Sequence, residues 1–141
     1  MKLGIIGAMT VEVALLKENM ENMTVSTHAG MEFCEGRLCG MDAVVVQCGV
    51  GKVNAAMCTQ VLCDLFDVTH IVNTGIAGSL QAEINIGDIV LSEEAAYHDF
   101  DTQIFGYALG EVPGMGRLAF PADFCCIASA IPASRRVFQI R

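Results

Sequence analysis

The sequence predicts an α/β fold with a binding loop at the carboxyl ends of its strands, and three stretches carry that prediction. Residues 2–6 are a short apolar run that ends in Gly7-Ala8, before a segment carrying Val11, Val13, Leu15, Leu16 and Met20. This is the pattern of strand, tight loop and helix. Residues 70–80 have a similar design, in which Ile71 and Val72 suit a buried strand that delivers the glycine-rich turn 74–79. Gly75 and Gly78 allow backbone conformations and close approaches that a side chain would block. Between these stretches, Cys48-Gly49-Val50-Gly51-Lys52 opens a helix running to about Phe66. Ligands of open α/β sheets bind where such loops leave the strands, so the turn 74–79 is the expected substrate loop.

The remaining elements follow from composition shifts along the chain. Thr10 is placed to cap the first helix, which puts Glu12 in the first turn, where the positive end of the helix dipole favours a carboxylate. Such a glutamate is either plain helix chemistry or an acid set beside the first strand's loop, where these sheets place their sites. Segments 31–38 and 42–47, separated by Gly36 and by Cys39-Gly40-Met41, suit antiparallel or meandering strands. Residues 88–92 form a further strand leading to Glu93, Glu94, Tyr97, His98, Asp99 and Asp101. With one histidine in that cluster, no metal centre is expected. Phe105-Gly106-Tyr107 through Pro113-Gly114 is either a satellite core or an apolar flap over a ligand. From Phe124 onward the periodicity fades, and Arg117, Arg135, Arg136 and Arg141 are four of the eight basic residues, which suggests a foreign or shifted tail.

Composition narrows the function classes. With 141 residues, 53% of them hydrophobic, the chain suffices for one domain with a substantial core. A net charge of -8 and a pI near 4.6 disfavour nucleic acid and anionic membrane surfaces, leaving small molecules and proteins as partners. No apolar run is long enough for a membrane span, and the glycine-interrupted start followed by Glu12 is a first strand rather than a signal peptide. Seven scattered cysteines without a paired zinc spacing fit reduced, buried small hydrophobes of a cytoplasmic protein. The glycine turns fit neither the dinucleotide fingerprint nor the phosphate loop, since Lys52 lacks the Ser or Thr that completes it. The start of the second helix is therefore either an anion site or a compact strand-to-helix connection.

Taken together, Gly4-Ile5-Ile6-Gly7-Ala8-Met9 with Glu12, Gly49-Val50-Gly51-Lys52-Val53-Asn54-Ala55-Ala56 and Asn73-Thr74-Gly75-Ile76-Ala77-Gly78-Ser79-Leu80 resemble one family. It is the 5'-methylthioadenosine/S-adenosylhomocysteine nucleosidase family. The resemblance continues through Gly87-Asp88-Ile89-Val90, Tyr97-His98-Asp99, Phe105-Gly106-Tyr107 and Pro113-Gly114. It implies the α/β/α nucleoside phosphorylase-like fold with a mixed central sheet, here C-terminally truncated. Residues 1–123 would be the first part of a single nucleosidase domain and 124–141 a divergent tail, as in a frameshifted or truncated product.

By resemblance, Glu12 positions and deprotonates the water that attacks the ribose anomeric carbon, with release of adenine and no cofactor. Ala8, Met9, Val50 and the turn Ile76-Ala77-Gly78 would surround ribose and base. Phe105 would reach in from a partner subunit of a homodimer as an apolar lid on the alkylthio group. The family often has Ser where this chain has Ile76. Its ribose-binding Met-Glu pair and the aspartate that protonates adenine lie in a further stretch with no counterpart here. The alternatives are an inactive fragment retaining some nucleoside binding or subunit association, and a purine nucleoside phosphorylase. The latter would need basic residues near the first loop, but none lies between Lys2 and Lys17.

Overall fold

A computed structural model describes residues 1–130 and 137–140. The chain divides into two compact units, Met1–Gly78 and Ser79–Arg141.

The first unit contains β1 (Lys2–Gly7), α1 (Thr10–Glu18), β2 (Glu21–His28), β3 (Met31–Leu38), β4 (Met41–Gln47), α2 (Lys52–Phe66) and β5 (His70–Asn73). The strands form one mixed sheet in the order β2-β3-β4-β1-β5. β2, β3 and β4 run antiparallel to one another, while β1 pairs parallel with both β4 and β5. The expected meander is therefore present, and its two hairpins have the same turn chemistry. His28 pairs with Met31 across Ala29-Gly30, and Leu38 pairs with Met41 across Cys39-Gly40. Both loop residues of each turn have positive φ, as in the primed turns whose twist matches that of the strands.

Gly36 does not separate strands as expected; it lies inside β3. A Cβ there would come within 2.7 Å of the Glu21 carbonyl oxygen, opposite the register shift between Glu21 and Thr24. The glycine makes room for a bulge in the neighbouring strand.

Helices cover both faces of this sheet. Cys58, Leu62 and Phe66 of α2, spaced four apart on one helical face, pack with Ile6, Met31, Phe33, Val44 and Val46. On the other face, Val13 of α1 packs with Ile5 and Val45, flanked by Leu16 and Met20. Val44, Val45 and Val46 are all fully buried, as a continuous apolar run between two helix layers must be. Phe33 and Phe66 stack at 5.0 Å between ring centroids, and the His28 ring meets both edge-on. Val53, Met57 and Leu65 of α2 face away from this core and are exposed.

β5 differs from the buried strand expected of it. It is at the sheet's edge, paired with β1 alone among the described residues, and Val72 and Asn73 are exposed.

The second unit contains β6 (Ile89–Ser92), β7 (Glu94–Ala96), a 3-10 turn (Gln103–Phe105), β8 (Ala119–Pro121), α3 (Phe124–Ala130) and β9 (Val137–Ile140). β6 pairs parallel with β9, and β7 antiparallel with β8. Tyr97 contacts Phe100 and Phe120 at centroid distances of 5.9 and 6.5 Å. α3 forms where periodicity failed to show a helix, because Asp123 caps it: its Oδ1 accepts from the Cys126 N–H at 2.8 Å. Among the described residues, no helix is long and apolar enough to cross a membrane.

Candidate functional site

Three connections converge at the carboxyl end of β1. The Cys48 N–H after β4 donates to the Gly7 carbonyl at 2.9 Å, and the Thr74 N–H after β5 donates to the Ile6 carbonyl at 2.9 Å. The parallel pairing of β4, β1 and β5 thus brings loops distant in sequence to one edge, as parallel α/β sheets do.

Glu12 lies where these loops meet. Helix α1 begins one residue earlier than a Thr10 cap would set it, so Met9 holds the cap position and Thr10 is the first helical residue. The Thr10 hydroxyl donates instead to Gln47 Oε1 at 3.1 Å, tying α1 to the end of β4. Capping falls to Glu12, whose Oε2 accepts from the Met9 N–H at 2.8 Å. This is the reciprocal half of a capping box.

The other oxygen of Glu12 reaches a different loop. Oε1 accepts from the Ile76 N–H at 3.1 Å, across 64 positions of sequence. The Met9 and Ile76 N–H groups together hold the carboxyl below its ordinary range, with a smaller contribution from Ala8 and against the opposing effect of burial. At neutral pH Glu12 is a carboxylate, bound by backbone donors yet with lone pairs left to accept a proton or a water hydrogen. Cys48, nearby, is buried, and its thiol is raised first by burial and further by the Glu12 charge. It remains a neutral thiol, donating to the Gly49 carbonyl at 3.3 Å.

Of the expected site residues, the structure joins Ala8, Met9, Glu12 and Ile76 directly through the carboxylate. Ala77 and Gly78 follow Ile76 and, like it, are exposed. A Cβ at Gly78 would meet nothing within 4 Å, and neither Gly75 nor Gly78 has a positive φ, so the expected special backbone conformation is not adopted. Val50 is 74% exposed at the tip of the loop after β4. Asn54, to which the sequence pattern assigns no role of its own, braces that loop: its side-chain amide donates to the Val50 carbonyl at 2.8 Å. Phe105 belongs to the second unit, where it ends the 3-10 turn and is 76% exposed. The aromatic contacts described there involve Tyr97, Phe100 and Phe120 instead.

The family model described as the phosphorylase superfamily matches residues 2–136. The chain is 49% identical over 123 residues to the 5'-methylthioadenosine/S-adenosylhomocysteine nucleosidase of Colwellia psychrerythraea, covering 87% of this chain and 51% of that protein. It is 45% identical over 137 residues to the enzyme of the same name from Geobacillus kaustophilus, covering 97% of this chain and 58% of that one. It therefore spans about half to three fifths of the length of these relatives. The crystal structure of the Colwellia nucleosidase in complex with adenine superposes with a TM-score of 0.92 at 44% identity, covering 99% of this chain and 59% of that one. The Neisseria meningitidis nucleosidase in complex with methylthio-immucillin-A gives 0.93 at 38% identity, covering 98% and 62%.

Proposed function

We propose that this chain, which belongs to the phosphorylase superfamily, carries the water-activating part of a nucleosidase that hydrolyses 5'-methylthioadenosine and S-adenosylhomocysteine to adenine and a thioribosyl fragment. The observation that carries this reading is the Glu12 carboxylate, ionised and aimed by Met9 and Ile76 N–H groups at the end of β1. The names of the relatives support the substrate class.

In the proposed reaction the bond between the base nitrogen and the ribose anomeric carbon breaks toward an oxocarbenium-like state. A water attacks that carbon and gives its proton to Glu12. The departing base takes a proton from solvent and leaves as neutral adenine, and Glu12 returns the proton it took to solvent, so that one water is consumed for each bond cleaved. Ala8, Met9, Val50, Ile76, Ala77 and Gly78 line the nucleoside, and Phe105 of a second copy covers the alkylthio group in a homodimer. The place of such an enzyme is methionine salvage in the cytoplasm, and it needs no cofactor.

The test is adenine release from methylthioadenosine by the purified chain in phosphate-free buffer. Glu12→Gln, which also excludes a contaminating host enzyme, is expected to lower turnover by roughly two to four orders of magnitude. A requirement for phosphate, with a sugar phosphate as product, would replace hydrolysis by phosphorolysis. The same assay tests against the alternative of an inactive fragment that retains nucleoside binding. A soluble, folded chain without turnover supports that reading.

A further inference from the structure

We propose that Gly75 is the positioning residue of the Glu12 carboxylate, its missing side chain being the seat in which that carboxylate docks against the Ile76 N–H. The proposal rests on the reading of Glu12 as the base, but its geometry stands apart from turnover. A Cβ at position 75 would lie 2.6 Å from Glu12 Oε1, 3.0 Å from Cδ and 3.4 Å from Oε2. The carboxylate thus occupies the space that any other residue's first carbon would fill. Backbone conformation does not impose the glycine, because Gly75 is not among the residues with positive φ. Proximity does. Gly78, in the same turn, would meet nothing within 4 Å.

A second glycine confines the same side chain from β1. A Cβ at Gly7 would approach Val13 Cγ1 at 2.7 Å and Glu12 Cβ at 3.2 Å. The stem of Glu12 is therefore bounded near its root by Gly7 and at its head by Gly75. The two bonds on its head differ in resilience. Met9 belongs to the same helix start and donates at 2.8 Å, whereas the Ile76 N–H comes from the loop after β5 at 3.1 Å. A methyl group at position 75 pushes on Oε1, so the Ile76 bond is lost and the Met9 bond is kept. The displaced group is the far end of a flexible side chain, so the variant keeps the fold and moves the carboxylate. Among the described residues, Cys48 from the end of β4 feels the Glu12 charge and stays a neutral thiol.

The experiment is a carbon-13 carboxyl NMR titration of the full chain, with the Glu12 resonance assigned by its loss in Glu12→Gln. The wild-type midpoint is expected below 4.5. In Gly75→Ala it moves up toward that value, because one backbone donor is gone; in Gly78→Ala it stays in place. A second measurement holds even if Gly75→Ala is weakly folded. Its loss in urea midpoint should disappear in a Glu12→Ala background, where the seat is empty. An unmoved Glu12 midpoint in folded Gly75→Ala, or an equal loss of urea midpoint in both backgrounds, would overturn the proposal. Both readouts are independent of catalysis, so an inactive wild-type chain whose Glu12 midpoint still moves in Gly75→Ala refutes the nucleosidase reading and leaves this one intact.

Discussion

Replacing Leu62 by Ala tests how α2 is held to the sheet, and with it the loop that α2 anchors at the end of β4. Leu62 is fully buried among Ile6, Phe33, Val44 and Cys58. Truncation removes three carbon groups from a dry core, a transfer loss of about 2.4 kcal/mol at about 0.8 each. The void should collapse poorly, since Leu62 packs over Gly4, which has no side chain to move, and over strands buried on both faces. The expected loss is therefore about 3–4 kcal/mol, in the middle of the range for buried leucines. Urea unfolding followed by far-ultraviolet circular dichroism measures it, with the denaturant slope expected to stay constant. Leu65→Ala on the same helix is the control; that side chain is 57% exposed, and a change under about 0.5 kcal/mol is expected. A Cβ added at Gly4 would sit 3.0 Å from Leu62 Cδ1. Gly4→Ala should therefore be unfavourable in the wild type and partly restorative beside Leu62→Ala, a positive coupling in the double-mutant cycle. A Leu62→Ala loss below about 1 kcal/mol, or one equal to that of Leu65→Ala, would show that α2 does not pack as described.

Three further predictions concern charge, thiols and the bulge. Because the Glu12 carboxyl is lowered in the fold from 4.5, the stability it contributes is complete above that value and is lost as pH falls through the lower folded value. The urea-midpoint gap between wild type and Glu12→Gln should thus be constant near neutrality and narrow in acid; a gap unchanged in acid contradicts the two N–H bonds. Burial, and then the neighbouring Cys48, pushes the Cys58 thiol up to about 11. Native alkylation mapped by mass spectrometry should therefore label exposed Cys39 and Cys63 while sparing Cys48 and Cys58 until the chain is denatured; equal rates at Cys58 and Cys63 would refute the burial of α2's inner face. Gly36→Ala would crowd the Glu21 carbonyl and the Met23 Cα, and should cost about 1–3 kcal/mol in chemical unfolding. A neutral outcome would mean that β2 does not bulge there.

Much of this architecture was legible along the chain. The apolar runs at β1 and β4 end in small residues and are followed by helical periodicity, and local chemistry fixes such patterns. The break at Cys39-Gly40-Met41 was likewise visible, because glycine punctuates strands, whereas the structure shortens it to a two-residue turn with Met41 already in β4. Thr10 misled because a hydroxyl at a helix start is usually the cap. Here the hydroxyl donates a hydrogen bond to Gln47, 37 positions away, and Glu12 does the capping. Gly36 misled for a related reason: a glycine inside a strand looks like a break until the neighbouring strand's bulge is known.

The sequence by itself determined the α/β class, the order of the first unit's elements apart from β2, and the candidacy of Glu12 and the turn 74–79, since propensity, periodicity and motif are properties of neighbouring residues. Only the tertiary structure decided that both oxygens of Glu12 are engaged, one by its own helix start and one by Ile76. It also decided that Gly75 serves by proximity rather than by conformation, and that β5 lies at the edge of its sheet. Those facts depend on parallel pairing of β1 with β4 and β5, which brings segments up to 68 positions apart within a hydrogen bond of each other. Short-range patterns carry no information about distances of that kind.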